Sequence, residues 1–455
     1  MRIHYEGGVR DVVKSRALLA DKRFGSLWLA QGIAQTAQNA MLFTLLVVIL
    51  QITGSSVHTS LLVLSFTLPS IPLGVIAGVV LDRVRKDSVL ILTNIIRAGA
   101  CVLFLFFHGN EWIIYGIALC FSTAGLFFNP AVVTMIPSLV SRERLVSANS
   151  LYNFTLTASQ LFGIVFLAPT VLKSAGYNGM FVVAAVMFGL AAALATRMRG
   201  VPVAQTEQRM PLASIPMEFR ESWRVLVADR YSSLALSQLI VSSTLVLMFA
   251  ILIPRYMRDV LGVPPDNAAF VFAPAGIGAL AGLRFLPWFT KRGKNRAVVI
   301  GLIGIAISLF LLALVKPIAD FYAETPGADF MARLLRVSVL QALTMAFAGP
   351  MGFFYALLNA PAQTVLHERA PPDMRGRIFA TQVISANFIS LLPLFLAGAV
   401  TDLLSVTWVL LIIACGLIGM AMLSRALAGD EAPAPDERAG AAEASVSIDT
   451  PRGVR

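Results

Sequence analysis

Residues 78–90 read GVVLDRVRKDSVL, and the chain is apolar for long stretches on both sides of them. Five charged side chains (Asp82, Arg83, Arg85, Lys86 and Asp87) fall within six positions, in a chain that is only 13% charged. A soluble protein carries about 25% charged and 45–50% apolar residues. This one, of 455 residues, is 57% hydrophobic with a mean hydropathy of +0.78. A knot of charge between apolar runs reads as the place where a chain leaves lipid and re-enters it.

Working outward from that knot, spans of the length a bilayer demands recur along the chain. Each needs about 20 mostly apolar residues, because lipid offers the backbone no hydrogen-bond partner. They are expected at 24–50, 58–81, 88–108, 112–136, 146–172, 179–198, 231–254, 267–289, 297–315, 336–365, 378–400 and 406–427. The sequence therefore predicts an all-α integral membrane protein with twelve transmembrane helices. Residues 1–23 are polar and basic, without the apolar core of a cleavable signal peptide. Twenty-eight Lys and Arg lie on the side shared by the termini and the even-to-odd loops, against six on the other. The positive-inside rule then places both termini in the cytoplasm. That asymmetry accounts for the net charge of +11, so the charge is no argument for nucleic acid as a partner.

Residues 199–230 hold five cations, three prolines and no long apolar run. They read as a cytoplasmic linker between two six-helix halves, 24–198 and 231–427, with a cytoplasmic N-terminal segment at 1–23. The stretch 428–455, rich in Ala, Pro and acids, reads as a disordered tail. The halves echo one another. FFNPAVVTMIPSLVSRERLVSAN (127–149) and LLNAPAQTVLHERAPPDMRGRIFAT (357–381) superpose Pro130 on Pro361 and Ala131 on Ala362. Arg144 then falls on Arg375, each fourteen residues past its proline.

These residues carry a resemblance. GVVLDRVRK (78–86) is similar to the loop 2–3 signature of the major facilitator superfamily, Gly-x-x-x-Asp-Arg followed by basic residues, with Arg85 where a glycine is usual. LWLAQ (27–31), QITGSS (51–56), FFNPA (127–131) and PPDMRGR (371–377) resemble its bacterial efflux branch, the one containing enterobactin and macrolide exporters. The resemblance covers roughly 24–427 and implies two pseudo-symmetric six-helix halves in the bacterial inner membrane. It further implies a secondary transporter exporting a small amphiphile, drug-, macrolide- or siderophore-like, by alternating access. Protons and membrane lipid would be its partners. Superfamily members line the pore with helices 1, 5, 7 and 11. By the same resemblance loop 2–3 closes against the start of helix 11, giving a cytoplasmic gate of Gly78, Asp82, Arg83, Lys86, Arg375 and Arg377.

Polar residues inside the spans mark the candidate cavity. Arg97, nine residues into the third span, lies roughly 14 Å deep at 1.5 Å per residue. Either it satisfies backbone carbonyls and holds helices together, or it meets an anionic group of the substrate. Gln31, Gln35, Gln38 and Asn39 follow helical spacing on one stripe of the first span. Asn149, Asn153 and Gln160 do so on the fifth. The seventh offers Gln238, Ser242 and Ser243, and the eleventh Gln382 and Asn387. Any one such amide can be packing glue worth about 0.6 kcal/mol; together they suit a neutral or weakly anionic amphiphile. No Asp or Glu falls near the middle of a span, and Asn39 stands where the resembling exporters commonly carry Asp. An amide cannot titrate, so proton antiport rests on the resemblance alone. Gly163 is followed by Ile164 rather than the proline of the family's antiporter motif.

Other classes find less support. There is no His-Glu-x-x-His and no phosphate-cradling loop, so neither an enzyme nor an ATP-driven pump is expected. No cofactor and no metal are implied. Cys101, Cys120 and Cys415 fall inside spans as packing residues, and a monomer is expected. Uptake or flipping of a lipid-like or nutrient solute is the second reading. A non-transporting receptor or scaffold is the third.

Overall fold

The computed structural model describes residues 21–70, 73, 80–81, 84–141, 144–200, 215–291, 293–323, 338–371 and 374–428. The first half contains α1 (Lys22–Thr53), α2 (Ser56–Thr67), α3 (Lys86–Phe107), α4 (Glu111–Leu139), α5 (Leu145–Leu161) and α6 (Ala168–Ala195). A π-helical turn, Phe162–Leu167, joins α5 to α6. Then follow α7 (Ile215–Ala228), α8 (Arg230–Asp259), α9 (Ala268–Thr290), α10 (Lys294–Ala313) and α11 (Val315–Ala323). The last three are α12 (Val339–Arg369), α13 (Arg375–Leu403) and α14 (Val406–Ala428).

Ten helices among the described residues are long and apolar enough to cross a membrane. One of them runs 52 residues, from Ser147 to Met198, roughly 78 Å at 1.5 Å per residue, enough to cross a ~30 Å core twice. Its break is at Gly176, at φ 65° and ψ −167°, where the sequence predicts the gap between the fifth and sixth spans. With this rod crossing twice, the ten helices account for eleven of the twelve expected spans. Of the second, expected at 58–81, the structure describes α2 and a few residues beyond it, and the remainder lies outside the described residues. The spans expected at 267–289, 378–400 and 406–427 are found at Ala268–Thr290, Arg375–Leu403 and Val406–Ala428. Two helices were not expected: α7, inside the linker, and the short α11.

Side chains satisfy the first N–H groups of α1, α2, α4, α8 and α12. Asp21 caps α1, accepting from the N–H of Arg23 (2.8 Å) and Phe24 (3.0 Å). Asp229 caps α8 in the corresponding place of the second half, accepting from the N–H (2.9 Å) and Oγ (2.7 Å) of Ser232. The repeat legible around Pro130 and Pro361 thus extends to the caps of the leading helices. Within the halves, α3 packs on α4 and α6, and α12 packs on α9 and α10. Between them, α13 lies against α2, α8 against α1 and α2, and the π turn against α9.

Small residues permit the closest of these contacts, as lipid supplies no hydrophobic drive between helices. A Cβ on Gly352 would lie 1.8 Å from the Ala275 carbonyl oxygen, and one on Gly278 would lie 1.9 Å from that of Gly349. Helices α9 and α12 therefore touch backbone to backbone. Gly352→Ala is expected to destabilise the fold by about 1–3 kcal/mol or more, since overpacking forces the helices apart. Thermal unfolding in detergent checks this, with Gly416→Ala as the control, because nothing lies within 4 Å of a Cβ there.

Candidate functional site

The interior of the first half is held by amides on α1, three of which each reach a different helix. Gln31 Nε2 donates to the Tyr152 carbonyl of α5 at 3.4 Å. Gln35 Nε2 donates to Asn129 Oδ1 of α4. Gln38 Oε1 accepts from Arg97 Nη1 of α3 at 3.1 Å. Asn39 turns back along α1, donating to the Gln35 carbonyl at 2.8 Å. Much of the stripe expected on the first span braces neighbouring helices. Beside it Gly163 opens the π turn, where a Cβ would lie 2.6 Å from the Thr36 carbonyl oxygen. A π turn commonly marks a functional position in a helix.

Arg97 is 0% exposed. Its Nε donates to the Thr93 carbonyl at 3.3 Å and its Nη2 to Asn94 Oδ1 at 3.0 Å. The guanidinium lies 4.6 Å from the ring centroid of Phe128 and 4.8 Å from that of Phe188. Every oxygen it donates to in these bonds is neutral, and no carboxylate pairs with it among the described residues. Gly125 leaves room beside it: a Cβ there would lie 3.2 Å from Gln38 Oε1 and 3.8 Å from Arg97 Nη1. A buried cation paired only with dipoles is costly unless an anion shares its environment.

The second half repeats part of this pattern. Asn359 Nδ2 of α12 donates to Ser242 Oγ of α8 at 2.7 Å, as Gln35 of α1 joins Asn129 of α4. In both halves a polar bond ties the leading helix to the proline-bearing fourth one. Gln238 is placed elsewhere, donating to Asn295 Oδ1 (3.1 Å) and Ser424 Oγ (3.2 Å), and so ties α8 to α10 and α14. Gln160 is exposed on α5, and Asn153 lies on α5 with its side chain outside the described set. On α13, Gln382 Oε1 and Ser385 Oγ are buried with no hydrogen-bond partner among the described residues. Gln382 belongs to the cavity set expected from the sequence, and Ser385 was not named in it.

Asn387 begins a ladder that joins the halves. Its Nδ2 donates to Ser70 Oγ at 2.9 Å. Farther from the linker, Ser60 Oγ donates to the Leu394 carbonyl at 3.2 Å. A Cβ on Gly398 would lie 2.3 Å from Ser60 Oγ. At the far rim Asp402 accepts from Ser55 Oγ (2.6 Å), Ser56 N (2.8 Å) and Val57 N (3.0 Å), so a carboxylate at the end of α13 caps the start of α2. Arg255 of α8 completes the clamp, lying 3.4 Å from Asp402, pairing with Asp259 and donating to the Gly54 carbonyl. Gly54 closes α1 at φ 66°, a left-handed cap conformation that glycine adopts at least cost. The QITGSS stretch is thus a far-side turn gripped by the other half.

The gate expected on the linker side is only partly described. Gly78, Asp82 and Arg83 lie outside the described residues, and so does the side chain of Arg375. Lys86 is the first residue of α3. Arg377 pairs with Glu221 of α7. The start of α13 has no side-chain cap of its own. Arg85, unexpected in the signature, caps α3 in an extended conformation (φ −69°, ψ 117°) that needs no glycine. It grips Asp87 through Nη2 (2.8 Å) and Nε (3.3 Å). That hydrogen bond first, and the carboxylate charge second, hold the Arg85 guanidinium above its ordinary pKa.

Neither Asp402 nor Glu221 stood out in the sequence as a site residue. Asp402 is an acid at the end of a span and meets α2 only in the fold. The described acids of the crossings lie within about a turn of a helix end, as Asp87, Glu111, Asp259, Glu368 and Asp402 do.

The family model for the Major Facilitator Superfamily matches residues 27–331. The multidrug efflux pump Tap of Mycolicibacterium fortuitum is 23% identical over 367 residues, 78% of this chain and 83% of that one. The lysophospholipid transporter LplT of Serratia proteamaculans is 27% identical over 375 residues, covering 80% of this chain and 85% of its own. Among solved structures, the nucleoside transporter NupG (D323A mutant) superposes with a TM-score of 0.69 at 14% identity, covering 88% of this chain and 98% of its own. At that identity the likeness is one of fold.

Proposed function

The chain belongs to the Major Facilitator Superfamily, and on that premise we propose that it exports a small amphiphile with an anionic or neutral polar group by alternating access. The observation that carries this reading is Arg97, a fully buried cation whose described partners are all neutral. A fixed positive charge behind the amides of α1 lowers the cost of bringing an anionic group between the halves and raises that of a cation. Gln382 Oε1 and Ser385 Oγ, buried without a hydrogen-bond partner among the described residues, are the polar groups α13 offers to the substrate in this reading. The linker side is read as cytoplasmic. The ladder from Asn387 to Asp402 is then the closed periplasmic gate, and Asp82 with the uncapped start of α13 forms the cytoplasmic one. The two latches are reciprocal. Asp402 engages the start of α2, where the helix dipole favours an anion, and the sequence offers Asp82 for the same role at the start of α13. The described membrane interior holds no carboxylate to carry a proton, and the reading leaves proton antiport out.

A second reading, movement of a lipid-like solute, is favoured by the relative whose name specifies a lysophospholipid; the relative named as an efflux pump favours export. Direction is read by expressing the chain in cells loaded with a fluorescent single-chain anionic amphiphile. Export lowers accumulation relative to cells without the protein. A rise would replace export with uptake, and no change would remove this amphiphile class from the proposal.

A further inference from the structure

We propose that α7 is a surface helix that binds anionic lipid headgroups through a row of aromatic and apolar residues flanked by two arginines. This goes beyond the transport reading and does not depend on it. Along α7, residues four apart stack in rows. The row of Ser222 and Leu226 faces inward, at 0% and 1% exposure. The next row, Phe219, Trp223 and Val227, emerges from the protein: Phe219 is half-buried, Trp223 is 37% exposed and Val227 is 49% exposed. Its rings are ordered, Phe219 and Trp223 stacking at 6.4 Å between centroids. The row beyond that is Arg220 and Arg224, both exposed.

The height of this face is fixed by the chain. A single residue, Asp229, separates the end of α7 from the start of the crossing helix α8. Helix α7 therefore lies at the level where α8 enters the bilayer. Its rotation is fixed as well, by packing against α8 and α13 and by the ion pair between Glu221 and Arg377. The aromatic row cannot turn inward without breaking that pair. An apolar row with adjoining cations at the bilayer surface is the pattern of an interfacial helix. Its charge complement is an anionic headgroup, and the tryptophan is suited to the boundary between chains and headgroups.

The test uses the full chain in phosphatidylcholine vesicles containing either brominated phosphatidylglycerol or the same amount of brominated phosphatidylcholine. The Trp223 signal is taken as the difference between the protein and Trp223→Phe. The anionic brominated lipid is expected to quench Trp223 several-fold more than the zwitterionic one. Each arginine at an anionic surface is worth about fivefold in local enrichment, so Arg220→Gln with Arg224→Gln should remove the preference while leaving Trp223 in contact with lipid. Equal quenching by both headgroups would overturn the electrostatic part of the proposal. Trp223 unquenched by either lipid would overturn it entirely, and would assign the face to solvent or to a protein partner.

Discussion

Replacing Asp402 by alanine opens the far side of the protein. The carboxylate holds the first turn of α2 through three hydrogen bonds, from Ser55 Oγ, Ser56 N and Val57 N, and Arg255 shares it. Losing charge-assisted bonds of this kind costs the closed state about 2–3 kcal/mol, after some replacement by water. That corresponds to about 30- to 150-fold in the balance between closed and open arrangements. Spin labels at Gln51 and Leu403, exposed positions on the far rim of the two halves, read the change as a distance. The wild-type protein should give a short population and Asp402→Ala a dominant longer one. Asp402→Asn keeps an acceptor but loses the charge, and should fall between them. If the distances of all three coincide, the ladder is held by packing at Ser60 and Gly398, and the carboxylate is not the latch.

Replacing Arg97 by glutamine separates a structural cation from a functional one. If Arg97 held the helices together, removing it would leave Thr93, Asn94 and Gln38 without their donor, and melting would fall sharply. We expect the opposite balance. The cation is buried without a counter-charge among the described residues, and its removal relieves desolvation that dipoles alone do not repay. Stability should stay within about 1 kcal/mol of the wild type, while flux of an anionic amphiphile falls by about tenfold or more, the loss of one buried charge contact. Arg97→Lys retains the charge but not the three-way donation, and should retain part of the flux. Thermal melting and flux measured on the same purified variants decide the matter. A large loss of stability with flux in proportion would return Arg97 to a packing role.

Much of the fold was legible because bilayer chemistry leaves few solutions. Apolar runs of spanning length, cations gathered on one side, and a proline echo at Pro130 and Pro361 each point to the same two-half bundle. The join between α5 and α6 was less legible, since a π turn and a bend at Gly176 leave the rod helical across the place where the chain turns. The site was legible as faces and not as contacts. Helical spacing set Gln31, Gln35, Gln38 and Asn39 on one stripe, yet gave no sign that Gln38 meets Arg97 or that Gln35 meets Asn129. Gln238 shares the composition of its cavity candidates but is tied to Asn295 and Ser424, because rotation about α8 depends on neighbours that periodicity does not name. Asp402 was invisible as a latch, being 347 residues from Ser55. Helix α7 did leave a signal in Phe219, Trp223 and Val227 at intervals of four beside Arg220 and Arg224. Three apolar residues in a basic linker are too few to stand out until packing shows which row faces inward.

The most direct test of the central claim is flux into proteoliposomes containing the full chain. Two single-chain amphiphiles of equal chain length are compared, one with a phosphate headgroup and one with a trimethylammonium headgroup. An anionic compound drawn by the buried charge of Arg97 should cross several-fold faster than in protein-free vesicles, and several-fold faster than its cationic counterpart. Equal rates for the two headgroups, or a faster cation, would contradict the account.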